Sequence, residues 1–136
     1  MTPFVHLHVH TEFSLLDGAI RLKDLIDTVR RYQMPAVAIT DHGNMFGALE
    51  FYELCRKAEV KPILGCEVYV APRSRFDRQG KADNSGNGDE DRNYHLVLLA
   101  KDLAGYRNLM KLVTLAHLEG FYYKARVDKE LLRQYH

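Results

Sequence analysis

The chain has 136 residues, 46% hydrophobic and 27% charged, which suits one soluble globular domain with a single core. Nineteen Lys and Arg against 18 Asp and Glu leave a net charge of +1, so no overall electrostatic footprint for nucleic acid exists and any contact with DNA must be local. No apolar run approaches the ~18 residues of a membrane span. No secretory n-region or h-region precedes the first apolar stretch, and with only Cys55 and Cys66 a reduced, cytoplasmic compartment without a disulfide is expected.

From Phe4 the chain runs Phe-Val-His-Leu-His-Val-His, which predicts an extended strand with His6, His8 and His10 on one face and Val5, Leu7 and Val9 on the other. Histidine is a poor core filler, so packing gives no reason for an imidazole wall. A metal does: neutral imidazole is a common transition-metal donor, and donors at i and i+2 on a strand reach one ion. The alternative is a solvent-facing edge strand with incidental histidines.

Asp17-Gly18 closes the following loop, and Leu22, Leu25, Ile26 and Val29 then recur at helical spacing in an amphipathic helix that ends before Met34-Pro35. Ala36 to Thr40 is the compact apolar run of a strand buried on both faces, stopping at Asp41-His42-Gly43-Asn44 with His42 at its C-terminal end. A second helix, about Gly47 to Glu59, turns Ala48, Phe51, Cys55 and Ala58 to one side. In the next strand, Ile63 to Val70, Glu67 shares a face with Gly65 and Tyr69, where a carboxylate is costly unless paired or metal-bound.

Residues 73–92 are polar, mixed in charge and almost free of aliphatic side chains, so a mobile surface insertion is expected there. The alternative is an active-site flap or a DNA-facing loop using Arg73, Arg75 and Arg78. Tyr94 to Ala100 follows as a fourth strand with His95 near its start. Asp102 is placed to cap a helix bearing Tyr106, Leu109, Met110, Val113 and His117, the last expected to be a partly buried helix residue and not a ligand. The end of the chain carries an aromatic-basic run, Phe121-Tyr122-Tyr123-Lys124, and the start of a capped helix after Val127.

Alternating strands and helices imply parallel strands with right-handed crossovers, hence an α/β class. Four parallel strands with covering helices are few for a closed (β/α) barrel, which takes about 250 residues, so 1–136 is expected to be the first half of one, without a second domain. The collected donors are His8, His10, Asp17, His42, Glu67 and His95. All but His95 lie at strand ends or on one strand face, where α/β folds place their sites. Imidazole mixed with carboxylate suits zinc, manganese or iron, with Glu67 able to bridge two ions. Asp41 alternates away from His42 and is expected to orient an imidazole from behind.

The pieces His8-Val9-His10-Thr11, Ser14-Leu15-Leu16-Asp17-Gly18, Ile39-Thr40-Asp41-His42-Gly43 and Gly65-Cys66-Glu67 resemble the opening motifs of the PHP (polymerase and histidinol phosphatase) domain. Tyr94 to Ala100 and Glu119 to Lys124 are similar to its form at the N-terminus of the bacterial replicative polymerases, the DNA polymerase III alpha subunits, and not to the stand-alone histidinol phosphatases. The resemblance covers the chain apart from 73–92. It implies a distorted barrel around up to three divalent ions, zinc or manganese, with the six donors on ligand positions. It further implies metal-dependent phosphoester hydrolysis, of 3′-5′ exonuclease or pyrophosphatase type, with His8, His10 and Glu67 acting through bound metals.

The partners implied are DNA, the proofreading exonuclease subunit and other replicase subunits. The family's later ligands, a cysteine or histidine and an Asp-x-His pair, have no counterpart here, nor do the polymerase domains. The chain is therefore expected to be the N-terminal portion of its domain, a poor catalyst alone and prone to self-association. A metal-stapled docking module without its own catalysis is the alternative function, and a histidinol-phosphate phosphatase a weaker one.

Overall fold

The computed structural model describes residues 4–15, 17–78 and 93–136. In chain order the elements are α1 (Leu22–Arg31), β1 (Ala36–Ile39), α2 (Ala48–Lys57), β2 (Lys61–Val70), β3 (Tyr94–Leu99), α3 (Leu103–Leu118), β4 (Arg126–Val127) and α4 (Lys129–Gln134). The class is α/β, and among the described residues no helix is long and apolar enough to cross a membrane.

The helices form where periodicity places them. In α1 the buried residues are Leu22, Leu25, Ile26 and Val29, with Asp24 in the first turn and Arg30 and Arg31 in the last, each sign matched to the helix dipole. Phe51 and Cys55 of α2 meet that stripe and Val37 and Ile39 of β1 in one apolar cluster. A second cluster joins Cys66, Val68 and Val70 of β2 to Leu109, Leu112 and Ala116 of α3 and to Val127 and Leu131. Among the described residues the core thus has two clusters, where composition implies one. Cys55 and Cys66 are free, one in each cluster. The Asp102 carboxylate caps α3 by accepting from the Gly105 N–H at 2.9 Å, and Asp128 caps α4 by accepting from the Leu131 N–H at 3.0 Å.

β2 is the central strand: it pairs parallel with β1 and β4 and antiparallel with β3. The four parallel strands expected from the alternating pattern are corrected in three respects. First, the register Val70↔Tyr94 to Gly65↔Leu99 makes β3 run back along β2, because the chain re-enters the sheet at the end it left, without a crossover to the far end. Second, the N-terminal stretch is extended but forms no strand ladder, meeting β1 at an isolated bridge from His6 to Val37. There the Ala38 N–H donates to His6 O at 2.9 Å and the Thr40 N–H to Val9 O at 2.8 Å, so two residues of advance on β1 meet three on the first stretch, as at a bulge. Third, β4 is a short parallel partner of β2, not anticipated from so brief a segment.

Arg75 also departs from expectation. Within the stretch assigned to a mobile insertion it is buried, its guanidinium 3.1 Å from both oxygens of Asp128 and 2.7 Å from Glu119 Oε2, while its backbone N–H donates to Asp128 at 2.9 Å. Residues 79–92 of that stretch lie outside the described residues.

Candidate metal centre

Alternation along β2 sends Cys66, Val68 and Val70 into the α3 cluster and Glu67 and Tyr69 to the other face. The Glu67 side chain is 6% exposed, and its two oxygens face different partners. His8 Nε2 and His10 Nε2 stand 2.5 and 2.6 Å from Oε2, and His95 Nδ1 stands 2.5 Å from Oε1. His42 Nδ1 is 3.7 Å from that same Oε1, and His42 Nε2 is 2.6 Å from Asp17 Oδ2, which also lies 3.4 Å from His10 Nδ1. The six predicted donors therefore meet at one place, in three overlapping groups: His8, His10 and Glu67; His10, Asp17 and His42; His42, Glu67 and His95. His6, drawn on the same wall by simple alternation, belongs to none of them and stands edge-on to the Phe4 ring at 4.7 Å.

His95 reaches the site because β3 is antiparallel. Register opposes His95 to Tyr69, so a residue near the start of β3 lies at the same end of the sheet as the C-terminal half of β2. In a parallel strand it would have sat at the far end.

Burial alone would raise the Glu67 carboxyl. The hydrogen bonds from His8, His10 and His95 and the charge of His42 outweigh it and hold the group at about 2. One buried side-chain atom among the described residues has no hydrogen-bond partner, and it is His42 Nδ1. An imidazole nitrogen buried without a donor or acceptor is costly, and a cation between it and Glu67 would remove the cost. Ligand atoms of a tetrahedral zinc with bonds of ~2.0–2.1 Å lie about 3.3 Å apart. His8 Nε2 and His10 Nε2 are 3.2 Å apart, close to that spacing, whereas each stands at hydrogen-bond distance from Glu67 Oε2, 2.5 and 2.6 Å, a contact that a shared ion would open.

The loop between the first stretch and α1 is shaped by Asp41. Its buried carboxylate accepts from the Thr11 N–H at 2.6 Å, the Thr11 hydroxyl at 2.8 Å and the Ser14 hydroxyl at 2.6 Å. Ser14 Oγ in turn accepts from the His42 N–H at 3.1 Å. The expected role of orienting an imidazole ring is thus replaced: Asp41 folds the backbone that carries His10 and Asp17 and ties it to His42. Thr11 and Ser14 stand in the family-like motifs, but their role is not readable there, since it lies in a contact across about 30 residues of chain. Gly18 closes this loop where no side chain fits, because a Cβ there would lie 1.9 Å from Thr11 O. Tyr69 walls the site, stacked on His42 at 5.7 Å and edge-on to His95 at 4.9 Å, with its hydroxyl pushed up by burial and by the charges of Asp17 and Glu67.

Two further side chains of ligand type lie outside the cluster. Cys66 points to the opposite face, donates its thiol to Asp41 O at 3.3 Å and is pushed by burial up to about 12, so it stays protonated. His117 meets Gly43 O at 2.9 Å through Nε2 and stands outside all three groups.

Fold and site together define an α/β domain with a carboxylate-centred cluster of histidines at one end of a mixed sheet, a donor set suited to a divalent metal ion. The chain belongs to the PHP domain family, which matches residues 6–136. It is 52% identical over 132 residues to the DNA polymerase III subunit alpha of Aquifex aeolicus, 54% over 132 to that of Treponema pallidum and 53% over 134 to that of Thermus aquaticus. Each alignment covers 97% of this chain and 11% of the relative, so the chain spans about a ninth of their length. Among solved structures, it is similar in fold to a protein described as a metal-dependent phosphoesterase from Bifidobacterium adolescentis (TM-score 0.58, 21% identity, covering 87% of this chain and 34% of that one). An amidohydrolase from Chromobacterium violaceum shares the fold at TM-score 0.51 and 22% identity, covering 79% of this chain and 32% of its own.

Proposed function

We propose that this chain is the N-terminal portion of a PHP domain within a bacterial replicative DNA polymerase of the cytoplasm. In this reading it holds divalent ions, zinc or manganese, for phosphoester hydrolysis of the 3′-5′ exonuclease or pyrophosphatase type. The observation that carries the proposal is the pairing of a buried carboxylate whose two oxygens each face imidazole nitrogen with a buried His42 Nδ1 that has no hydrogen-bond partner.

His8 and His10 would hold one ion with Glu67 Oε2, His42 and His95 another with Oε1, and Asp17 would complete a third group with His10 and His42. Ions bound there would acidify water and neutralise charge on phosphate oxygens. The chain's own contribution is to fix donor spacing through the Asp41 network and to set Glu67 as a carboxylate across the working pH range. Asp17, nearly half exposed, marks the side open to substrate. DNA, the proofreading exonuclease and other replicase subunits are the partners proposed for the longer protein.

Elemental analysis of the purified chain tests the metal claim: at least one transition ion per chain is expected, and fewer in the double substitution His8→Ala with His10→Ala, which leaves the His42, Glu67 and His95 group intact; unchanged stoichiometry would overturn the assignment. Hydrolysis of a 3′-end substrate with added Mn²⁺ or Zn²⁺ should be near background for these 136 residues. It should be measurable when the same six donors sit in a chain extended through the whole domain. Equal rates in the two chains would overturn the view that ligands beyond this chain complete the site.

A second reading, a docking module stapled by its metals, draws support from the apolar hollow of about 420 Å³ between α2 and the start of α3, lined by exposed Leu49, Tyr52 and Leu103. Metal binding without hydrolysis in the extended chain would favour it.

A further inference from the structure

The aromatic-basic run after α3 is built as a clamped turn. Gly120 ends the helix where no side chain fits, since a Cβ would lie 1.9 Å from Arg126 O. The buried Arg126 guanidinium donates from Nε to Gly120 O at 3.0 Å and from Nη2 to Arg75 O and Asp77 O at 3.0 and 2.7 Å, and it lies over the Tyr122 ring at 5.3 Å. The Tyr122 N–H donates to Lys124 O at 3.0 Å and closes the turn. Tyr123 occupies its tip in a left-handed backbone, φ 56°, with 82% of its surface exposed.

A bulky residue is uncommon at positive φ, where glycine or asparagine is the ordinary choice. Burial gives no return for this one, since its ring contact is the Tyr122 ring at 4.7 Å and 71°. The turn therefore displays an aromatic face at a conformational cost, and such outliers point to function. Beside it, the exposed Lys124 places Nζ 5.4 Å over the ring of Tyr69, the same ring that packs on His42 and His95. The cation is one ring away from the donor cluster.

We infer that this turn docks the end of a single-stranded nucleic acid at the metal centre, with Tyr123 stacking a base and Lys124 meeting a backbone phosphate. The inference rests on the hydrolytic reading above and names what that site would recognise. A phosphoester without a base would use Lys124 and have no use for the displayed ring. A stacking face serves any base but needs one that is unpaired, so the substrate class is single-stranded and without strong sequence preference.

The test is fluorescence anisotropy of the 136-residue chain in EDTA, where no metal contributes, with a short labelled oligothymidylate and an abasic oligomer of equal length. Tyr123→Ala should weaken oligothymidylate binding about tenfold, Tyr123→Phe should leave it unchanged, and binding of the abasic oligomer should be indifferent to both. Tyr123→Gly, freed of the left-handed strain, should raise Tm and still lose the binding, which separates recognition from folding. Lys124→Gln should weaken both oligomers and lower the salt slope by about 0.7. Wild-type affinity in Tyr123→Gly, equal affinity of the wild type for the two oligomers, or no binding by the wild type would each overturn the inference. Loss of metal binding with the Tyr123 dependence intact would instead overturn the hydrolytic reading alone.

Discussion

Glu67→Gln is the sharpest perturbation of the centre, because it keeps the shape of the side chain and removes the charge that four imidazoles face. In the metal-free chain the carboxyl is held at about 2 against an ordinary value of 4.5. A folded-state value below the unfolded one means the pairing stabilises the fold fully above pH of about 4.5 and loses that contribution as pH falls toward about 2. The shift corresponds to roughly 3 kcal/mol. Urea unfolding in EDTA at pH 6 and pH 3 should therefore show the wild type losing about 2 kcal/mol more than Glu67→Gln over that interval. Metal moves the two proteins apart in the other direction. An ion at 100 times its Kd should stabilise the wild type by about 2.7 kcal/mol and the variant far less. Parallel pH profiles together with equal stabilisation by metal would refute the central role of Glu67.

Three further outcomes are expected. Metal affinity of the wild type should fall as pH drops through about 6.5, the range in which free imidazole protonates, and competition titration with a chromophoric chelator would show it. Arg75→Met should cost about 3 kcal/mol in urea unfolding, the low end for a broken buried pair, because Asp128 keeps the N–H groups of residue 75 and Leu131; limited trypsin digestion of the wild type should cut at exposed Arg73 well before Arg75. Asp41→Asn should lower metal affinity roughly 10–100-fold, as substitutions behind a metal ligand do, with the far-UV circular dichroism unchanged.

The parts of this fold that could be read from the sequence are those in which a side chain's neighbours are close in the chain. Leu22, Leu25, Ile26 and Val29 share a face whatever packs on them, and Glu67 must oppose Cys66 and Val68 on any strand. That His8, His10, Asp17, His42, Glu67 and His95 gather at one place was legible on a different ground, the recurrence of imidazole and carboxylate on successive strands. What stayed hidden depends on distant partners. The polar look of the stretch around Arg75 conceals carboxylates 44 and 53 positions away. The role of Asp41 rests on hydroxyls 27 and 30 positions back. The bulge that turns His6 aside has no mark in Phe-Val-His-Leu-His, because alternation alone cannot tell an extra residue from a regular one.

Strand direction is the deepest of these gaps, since the period of two is identical whichever way a strand runs. Read as parallel, β3 would carry His95 at the end away from the site, and the donor was an awkward fit on that reading. Reversed, the same residue stands opposite Tyr69 and 2.5 Å from Glu67 Oε1. The misfit of one histidine was therefore evidence about topology: if His95 shares a site with His42 and Glu67, a residue second in its strand must lie beside the C-terminal half of β2, and only an antiparallel pairing delivers it there. His95→Ala should accordingly remove the Oε1 group while leaving the His8 and His10 group intact, lowering metal stoichiometry without abolishing it. Full stoichiometry in that variant would show that the antiparallel strand brings His95 to the site without enlisting it as a ligand.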